Sequence, residues 1–107
     1  MSIHPFVADK LPQLRELCRR YHVIYLALFG SAATGNFDPE RSDLDFVLHM
    51  QIPAPDGTSA LDNYYAFVQS VEALYGRKVD TVPPPAEIEN RYLRENVQES
   101  AVPVYES

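Results

Sequence analysis

The chain has 107 residues, of which 46% are hydrophobic, so it is long enough for one small domain, which we expect to span residues 1–107. Its formal net charge is −6, and we expect no direct binding to nucleic acid, because that binding needs clustered Lys and Arg to displace counterions from phosphates. With one cysteine, no apolar leader-like segment and no apolar run near the roughly 20 residues that span a bilayer, we expect a cytoplasmic protein without membrane segments.

The spacing of apolar residues predicts the elements of the first half of the chain. Apolar positions three and four residues apart predict an amphipathic helix at about residues 9–21. Residues 23–30 form a continuous apolar run, which is typical of a strand covered on both faces. A short helical segment at residues 31–35 and a turn at residues 36–39 then precede a second strand, Leu44–Met50.

A long helix is predicted in the middle of the chain. Residues 52–57 contain two prolines and a glycine, which indicates a surface loop before it. Ser59 and Asp62 resemble the acidic variant of a capping box, so the helix should begin after Ser59, and Gly76 should end it. Its buried face is expected to carry five apolar residues: Leu61, Tyr65, Val68, Val71 and Leu74.

The remaining elements complete the predicted fold. A short strand at residues 78–82 ends at three consecutive prolines, and a last helix at about residues 86–98 precedes an extended tail. This helix is expected to bury Ile88, Tyr92 and Leu93. Helices and strands in this order predict an α/β (α+β) fold, with a small mixed β-sheet flanked by helices.

The first candidate site element lies at the end of the first predicted strand. Gly30 and Ser31 stand where a strand passes into a helix, and the free N–H groups of a helix start can receive a phosphate. A glycine lets the phosphate approach the backbone, and the Ser31 hydroxyl adds a donor. Taken alone, the same dipeptide more often makes an ordinary tight turn.

The second element is an Asp-x-Asp pair at the entrance of the second strand. Asp43 and Asp45 should point to the same side, because side chains alternate along a strand. Two neighbouring carboxylates repel each other, and magnesium, which prefers oxygen ligands, is commonly held by one or two carboxylates together with substrate phosphates. The alternative is that both residues are ordinary solvated acids.

The third element is Asp80, which interrupts the apolar strand at residues 78–82. A carboxylate buried there would be costly unless it were paired or bound to a metal ion. It could instead face water on an edge strand, or pair with Arg77 or Lys78. A phosphate cradle, a carboxylate pair and a third acid would together complete a two-metal site for phosphoryl or nucleotidyl displacement.

The stretch GSAATG at residues 30–35, followed by SDLDFV at residues 42–47, resembles the signature of the DNA polymerase β-like nucleotidyltransferase superfamily. The short chain and the tail IENRYLRENVQESAVPVYE at residues 88–106 resemble its minimal nucleotidyltransferase (MNT) family, over nearly the whole length. The resemblance implies a polymerase β-like core. It also implies an antitoxin of the HEPN/MNT toxin–antitoxin type, which uses Mg²⁺ to move AMP from ATP to a tyrosine of a HEPN-family toxin in a hetero-oligomer.

The resemblance also implies a role for each motif residue. Gly30 and Ser31 would hold the triphosphate of ATP. Asp43 and Asp45 would bind magnesium, and Asp80 would complete the metal site. Asp80 is also the best candidate to accept the proton of the attacking hydroxyl.

Two features depart from the pattern of the family: an arginine is missing, and the stretch between Ser31 and Asp43 is one residue longer than usual. Relatives commonly carry an arginine just before the glycine that is Gly35 here, whereas this chain has Thr34. Arg41 or a partner subunit could supply the missing positive charge to the phosphates. The alternative hypothesis is a catalytically weak or inactive module that neutralises the toxin by direct binding, and transfer to a small molecule is a third.

Overall fold

A computed structural model describes residues 4–30 and 43–107. The helical segment and the turn that were predicted between residues 31 and 39 lie outside the described residues. The elements, in chain order, are α1 (Pro5–Ala8), α2 (Leu11–Arg20), β1 (Val23–Phe29), β2 (Leu44–Met50), α3 (Ala60–Tyr75), β3 (Val79–Val82), a 3-10 turn (Pro85–Glu87), α4 (Arg91–Ser100) and β4 (Val102–Glu106).

The four strands form one mixed sheet in the order β3-β2-β1-β4. Strand β1 runs antiparallel to both β2 and β4, whereas β3 runs parallel to β2. The predicted mixed sheet flanked by helices is therefore confirmed. The extended tail becomes β4, and α1 is an element that the sequence did not predict.

The two faces of the sheet carry two separate apolar clusters, because side chains alternate along each strand. Helices α1, α2 and α3 cover the first face, and α4 covers part of the second. Buried residues of the first cluster include Leu14, Leu26, Leu28, Leu44, Phe46 and Phe67. The second cluster consists of Ala27, Phe29, Val47, Ile88 and Val97.

Helix α2 packs on the first face of the sheet through its apolar side, which the spacing of its apolar residues predicted. Leu14 and Cys18 are fully buried, and burial raises the pKa of the Cys18 thiol to about 12. On the same helix, Arg15 Nε donates to the carbonyl oxygen of Val104 in β4 at 3.1 Å.

In residues 4–30 and 43–107, neither α2 nor any other helix has the length and apolar composition that crossing a membrane requires.

The predicted ends of α3 are confirmed by its caps. The side chain of Ser59 accepts a hydrogen bond from the Asp62 N–H at 3.1 Å. This bond satisfies one of the N–H groups that a helix start leaves unpaired. At the other end Gly76 takes a left-handed conformation, with φ of 64°, and stops the helix.

The predicted buried face of α3 is wrong for two of its residues. Leu61 is 62% exposed and Tyr65 is 53% exposed, whereas Val71 is buried as predicted and Val68 and Leu74 are partly buried. Apolar residues lie on more than one side of this helix, so periodicity alone did not decide which side would be buried. The residues that are buried follow at intervals of four: Asn63, Phe67, Val71 and Tyr75.

Two hydrogen bonds fix the orientation of this face. The Asn63 amide donates to the carbonyl oxygen of Tyr21 at 2.7 Å. The Tyr75 hydroxyl donates to the carbonyl oxygen of Val7 at 3.0 Å. Both polar groups can therefore be buried without the cost of an unpaired donor.

The predicted last helix is also corrected. It begins at Arg91 rather than near residue 86, because the side chain of Asn90 caps it by accepting from the Leu93 N–H at 3.0 Å. Ile88 is buried as predicted, although it precedes the helix. Tyr92 is 84% exposed and Leu93 is 38% exposed, and Val97 is the residue that α4 buries.

The corrected face of α3 predicts a large difference between two substitutions in that helix. Phe67→Ala should lower the free energy of unfolding by about 3–5 kcal/mol, because it leaves a cavity in the core. Leu61→Ala should change it by about 0.5 kcal/mol or less, because most of that side chain already faces water. Urea unfolding of both variants measures the difference, and equal losses would contradict the assigned face.

Candidate active site

Three predicted acids come together at one end of the sheet. Strand β1 ends at this point, and the parallel strands β2 and β3 begin there. Asp45 is directly opposite Asp80 in the register of β2 and β3, and opposite Phe29 on its other side. Asp43 comes just before β2. Parallel pairing with this register therefore aligns acids that lie far apart in the sequence.

The pairing of β2 with β3 extends to the start of both strands. The Leu44 N–H donates to the carbonyl oxygen of Lys78 at 3.0 Å. Neighbouring strands lie about 4.8 Å apart, and residues in register point to the same face. Asp45 and Asp80 therefore lie side by side on the second face of the sheet, on the face that α4 covers in part.

The carboxylates act on one another electrostatically. Partial burial raises the pKa of Asp45, and the charges of Asp80 and Asp43 raise that pKa further. Asp43 and Asp80 are exposed, and Asp45 is partly buried. The result is a concentration of negative charge that a bound cation would relieve.

Gly30 gives the carboxylate of Asp45 its space. It directly follows β1, with φ of 73°, a conformation that side chains other than glycine rarely adopt. A Cβ atom at this position would lie 2.8 Å from Asp45 Oδ2. Sequence reasoning gave Gly30 a role toward phosphate only and missed this contact, because the contact depends on the register of β1 and β2.

Asp80 is exposed to solvent, whereas it was chosen as a candidate because a buried carboxylate would need a partner. It is exposed at the edge strand β3, so the cost of burying a charge does not apply to it. Lys78 Nζ lies 4.0 Å from Asp80 Oδ1, with both side chains more than half exposed. Such a surface pair contributes little to stability, so Asp80 remains available to a ligand.

The phosphate side of the predicted site lies mostly outside the described residues. Ser31, Thr34 and Arg41 all belong to residues 31–42, which the structure does not describe. Of the predicted phosphate-binding residues, Gly30 alone is described, beside Asp45. The assignment of Ser31 and Arg41 to ATP therefore stays a prediction.

The chemistry of the acids suits a hard divalent cation. Three carboxylates offer only oxygen ligands, and Mg²⁺ commonly takes one or two carboxylates together with waters and substrate phosphates. Within residues 4–30 and 43–107, no three His, Cys, Asp or Glu side chains form a ready-made metal site. Asp43, Asp45 and Asp80 therefore fit magnesium by donor type, and waters and substrate phosphates would have to complete the ligand set.

A family model for the nucleotidyltransferase domain matches residues 11–104. The chain belongs to the nucleotidyltransferase domain family. The match spans all three acids of the sheet end, and membership of this family supports a transferase activity of the chain.

This nucleotidyltransferase is similar to a solved structure of a protein assigned as a minimal nucleotidyltransferase. The TM-score is 0.70, with 27% sequence identity over 91% of each chain. The search among curated proteins found no significant match. The predicted family and its fold are therefore confirmed by the family model and by this likeness.

Two toxin–antitoxin structures share the fold of this nucleotidyltransferase at lower identity. One is a toxin–antitoxin crystal structure with AMP-PNP, with a TM-score of 0.63 and 17% identity over 91% of this chain and 73% of that chain. The other holds a tri-AMPylated HEPN toxin of Shewanella oneidensis in complex with an MNT antitoxin. Its TM-score is 0.59, with 14% identity over 94% of this chain and 72% of that chain.

The contact between Gly30 and Asp45 predicts a specific effect of adding a methyl group. Gly30→Ala should displace the Asp45 carboxylate and weaken Mg²⁺ binding, measured by calorimetry on the purified chain. Gly76→Ala is the matched control, because Gly76 has a similar φ of 64° but nothing within 4 Å of the added atom. Each variant should lose about 1 kcal/mol of stability from backbone strain, and equal Mg²⁺ affinities in the two would contradict the role of Gly30.

The raised pKa of Asp45 predicts how stability depends on pH. Since the folded-state pKa lies above the unfolded value of about 3.9, the folded chain binds more protons between the two values. The free energy of unfolding therefore falls as pH rises through that window, and the loss persists at higher pH. Asp45→Asn should be more stable relative to the parent at pH 7 than at pH 3, as measured by urea unfolding.

Asp56 provides a control with the opposite sign. Hydrogen bonds from Thr58 lower the pKa of Asp56, so its ionised form stabilises the fold. The stability of Asp56→Asn relative to the parent should therefore fall as pH rises toward the unfolded value of about 3.9, and stay lower above it. The same sign of change in both variants would refute the assigned environments.

Proposed function

We propose that this chain is a magnesium-dependent protein adenylyltransferase. It would move AMP from ATP to a hydroxyl group, that of a tyrosine, on a partner HEPN-family toxin, and so act as the antitoxin. The observation that carries the proposal is the pairing of Asp45 with Asp80 on neighbouring strands, close to Asp43 and Gly30. These residues belong to a chain of the nucleotidyltransferase family. The AMPylated toxin in one structure of similar fold supports the choice of AMP and of acceptor.

The proposed reaction is a displacement at the α-phosphorus of ATP. The acceptor oxygen forms a bond to that phosphorus, the bond to the bridging oxygen of the β-phosphate breaks, and pyrophosphate leaves. Mg²⁺ held by the carboxylates would stabilise charge on the attacking and leaving oxygens. The acceptor loses its hydroxyl proton to a base on this chain.

Each acid has its own part in that reaction. Asp43 and Asp45 would hold the metal ion, and the repulsion within the cluster favours cation binding. Asp80, opposite Asp45, would complete the metal site, and its exposed carboxylate can accept the proton of the hydroxyl. Gly30, with Ser31 and Arg41, would bind the phosphates.

Loss of either metal-binding acid should abolish transfer. Incubation with labelled ATP, Mg²⁺ and the product of the adjacent gene, which the proposal expects to be a HEPN-family toxin, should label that product. Because outer-shell partners of metal sites already cost about 10–100-fold when removed, Asp43→Asn and Asp45→Asn should each lower the rate by roughly a hundredfold or more. Asp9→Asn, which changes an exposed acid at the end of α1, serves as the matched control.

Two outcomes would count against the proposed function in different ways. Undiminished labelling by both Asp43→Asn and Asp45→Asn would remove these acids from the mechanism. If Asp43→Asn still protects cells from the toxin while all transfer is lost, the chain neutralises its partner by binding alone. Protection assays with the same variants therefore separate the enzyme from the binding module.

A further inference from the structure

A groove whose larger cavity is mostly apolar lies at the end of the sheet opposite to the acids. It consists of two adjoining cavities, of about 490 Å³ and about 420 Å³, between the start of α3, the end of β2 and the prolines after β3. We call this surface the α3 groove. Five residues line both cavities: Leu48, Met50, Gln51, Ile52 and Pro83.

Large apolar side chains stand exposed in and beside the α3 groove. Ile52 is 75% exposed and Leu61 is 62% exposed, and both line the larger cavity. Tyr65, at 53% exposure, packs edge-on against Tyr64 of the same cavity, with ring centroids 5.4 Å apart. Exposed apolar side chains gathered around one cavity are typical of a binding surface, because leaving them in water is unfavourable.

The charges around the α3 groove favour a basic partner. Among the described residues that line the two cavities there is no Lys or Arg, and Glu87 lines the smaller one. Asp62 is exposed next to Leu61 in the first turn of α3. A second copy of this chain, with a formal net charge of −6, would meet repulsion here. An apolar side chain flanked by Lys or Arg would meet complementary charge.

The position of the α3 groove allows it to act together with the acids. Strand β2 connects the two, with Asp45 near its beginning and Met50 at its end. At about 3.3 Å per residue, this separation is about 17 Å. One folded partner protein can span that distance, with one part docked and another at the carboxylates.

We propose that the α3 groove is the docking site of the partner toxin, which would insert apolar side chains flanked by Lys or Arg. This inference rests on the proposed function, since it takes the acceptor of AMP as the occupant. Docking at a distance from the acids would supply affinity that the reacting tyrosine alone does not.

The test measures docking apart from transfer. Calorimetry without ATP gives the affinity of the purified HEPN-family protein for the Asp43→Asn chain and for derivatives of it. Adding Leu61→Glu or Ile52→Glu should weaken binding by roughly 30-fold, the effect of losing a central contact. Adding Tyr92→Glu is the matched control, because Tyr92 is an 84% exposed aromatic residue of α4, outside the cavities, and it should leave affinity within about twofold.

A charge reversal tests the basic character of the occupant. Asp62→Lys combined with Glu87→Lys should weaken binding at low salt, and the difference should shrink as salt rises. Glu99→Lys, an exposed acid of α4, is the control. Tighter or unchanged binding of the double variant would refute a basic partner.

The outcomes separate docking from transfer. Unchanged affinity in both Leu61→Glu and Ile52→Glu, or no binding to the Asp43→Asn chain, would overturn the docking site, whereas labelling of the toxin by the parent chain would still support the transferase. If affinity depends on the α3 groove but the parent chain transfers no AMP, docking stands and the adenylyltransferase proposal fails.

Discussion

The parallel pairing of β2 with β3 is the constraint on which the site depends. Its register puts Asp45 opposite Asp80, and the antiparallel partner β1 ends beside them with Gly30. The carboxylates repel one another and are held together by backbone hydrogen bonds and by the apolar clusters on both faces of the sheet. Folding therefore works against the mutual repulsion of these carboxylates, and clustered acids with a perturbed pKa are typical of functional sites.

Much of this architecture could be predicted because several sequence patterns are compatible with only one type of secondary structure. The apolar runs of β1 and β2 and the one-sided spacing of α2 allowed little choice. Helix α3 was different, since both of its candidate faces are apolar, and the hydrogen bonds of Asn63 and Tyr75 decide between them. These bonds reach residues distant in sequence, and no local pattern contains them. The start of α4 was missed because the cap at Asn90 was not recognised.

The sequence proposed candidate residues for the site but could not predict the contacts between them. The Gly-Ser and Asp-x-Asp motifs identified Gly30, Asp43 and Asp45 as candidates, and the structure brings these three together with Asp80. Asp80 was selected on the cost of burying a carboxylate, whereas it stands exposed on an edge strand beside Lys78, which is the alternative that the sequence left open. The position of a strand at the edge of a sheet depends on the order of all the strands. The sequence of β3 alone therefore could not decide between the two environments. The closeness of Gly30 to Asp45 likewise depends on register.

The burial of Cys18 leaves no thiol on the surface of this chain. It is the only cysteine, it has no exposed surface, and its thiol is held in the protonated form. Oxidants and disulfide exchange act on accessible thiolates, which this side chain does not offer. Thiol oxidation and disulfide exchange should therefore not affect the folded domain. A cysteine introduced on its surface would also be the single site for a thiol-reactive probe.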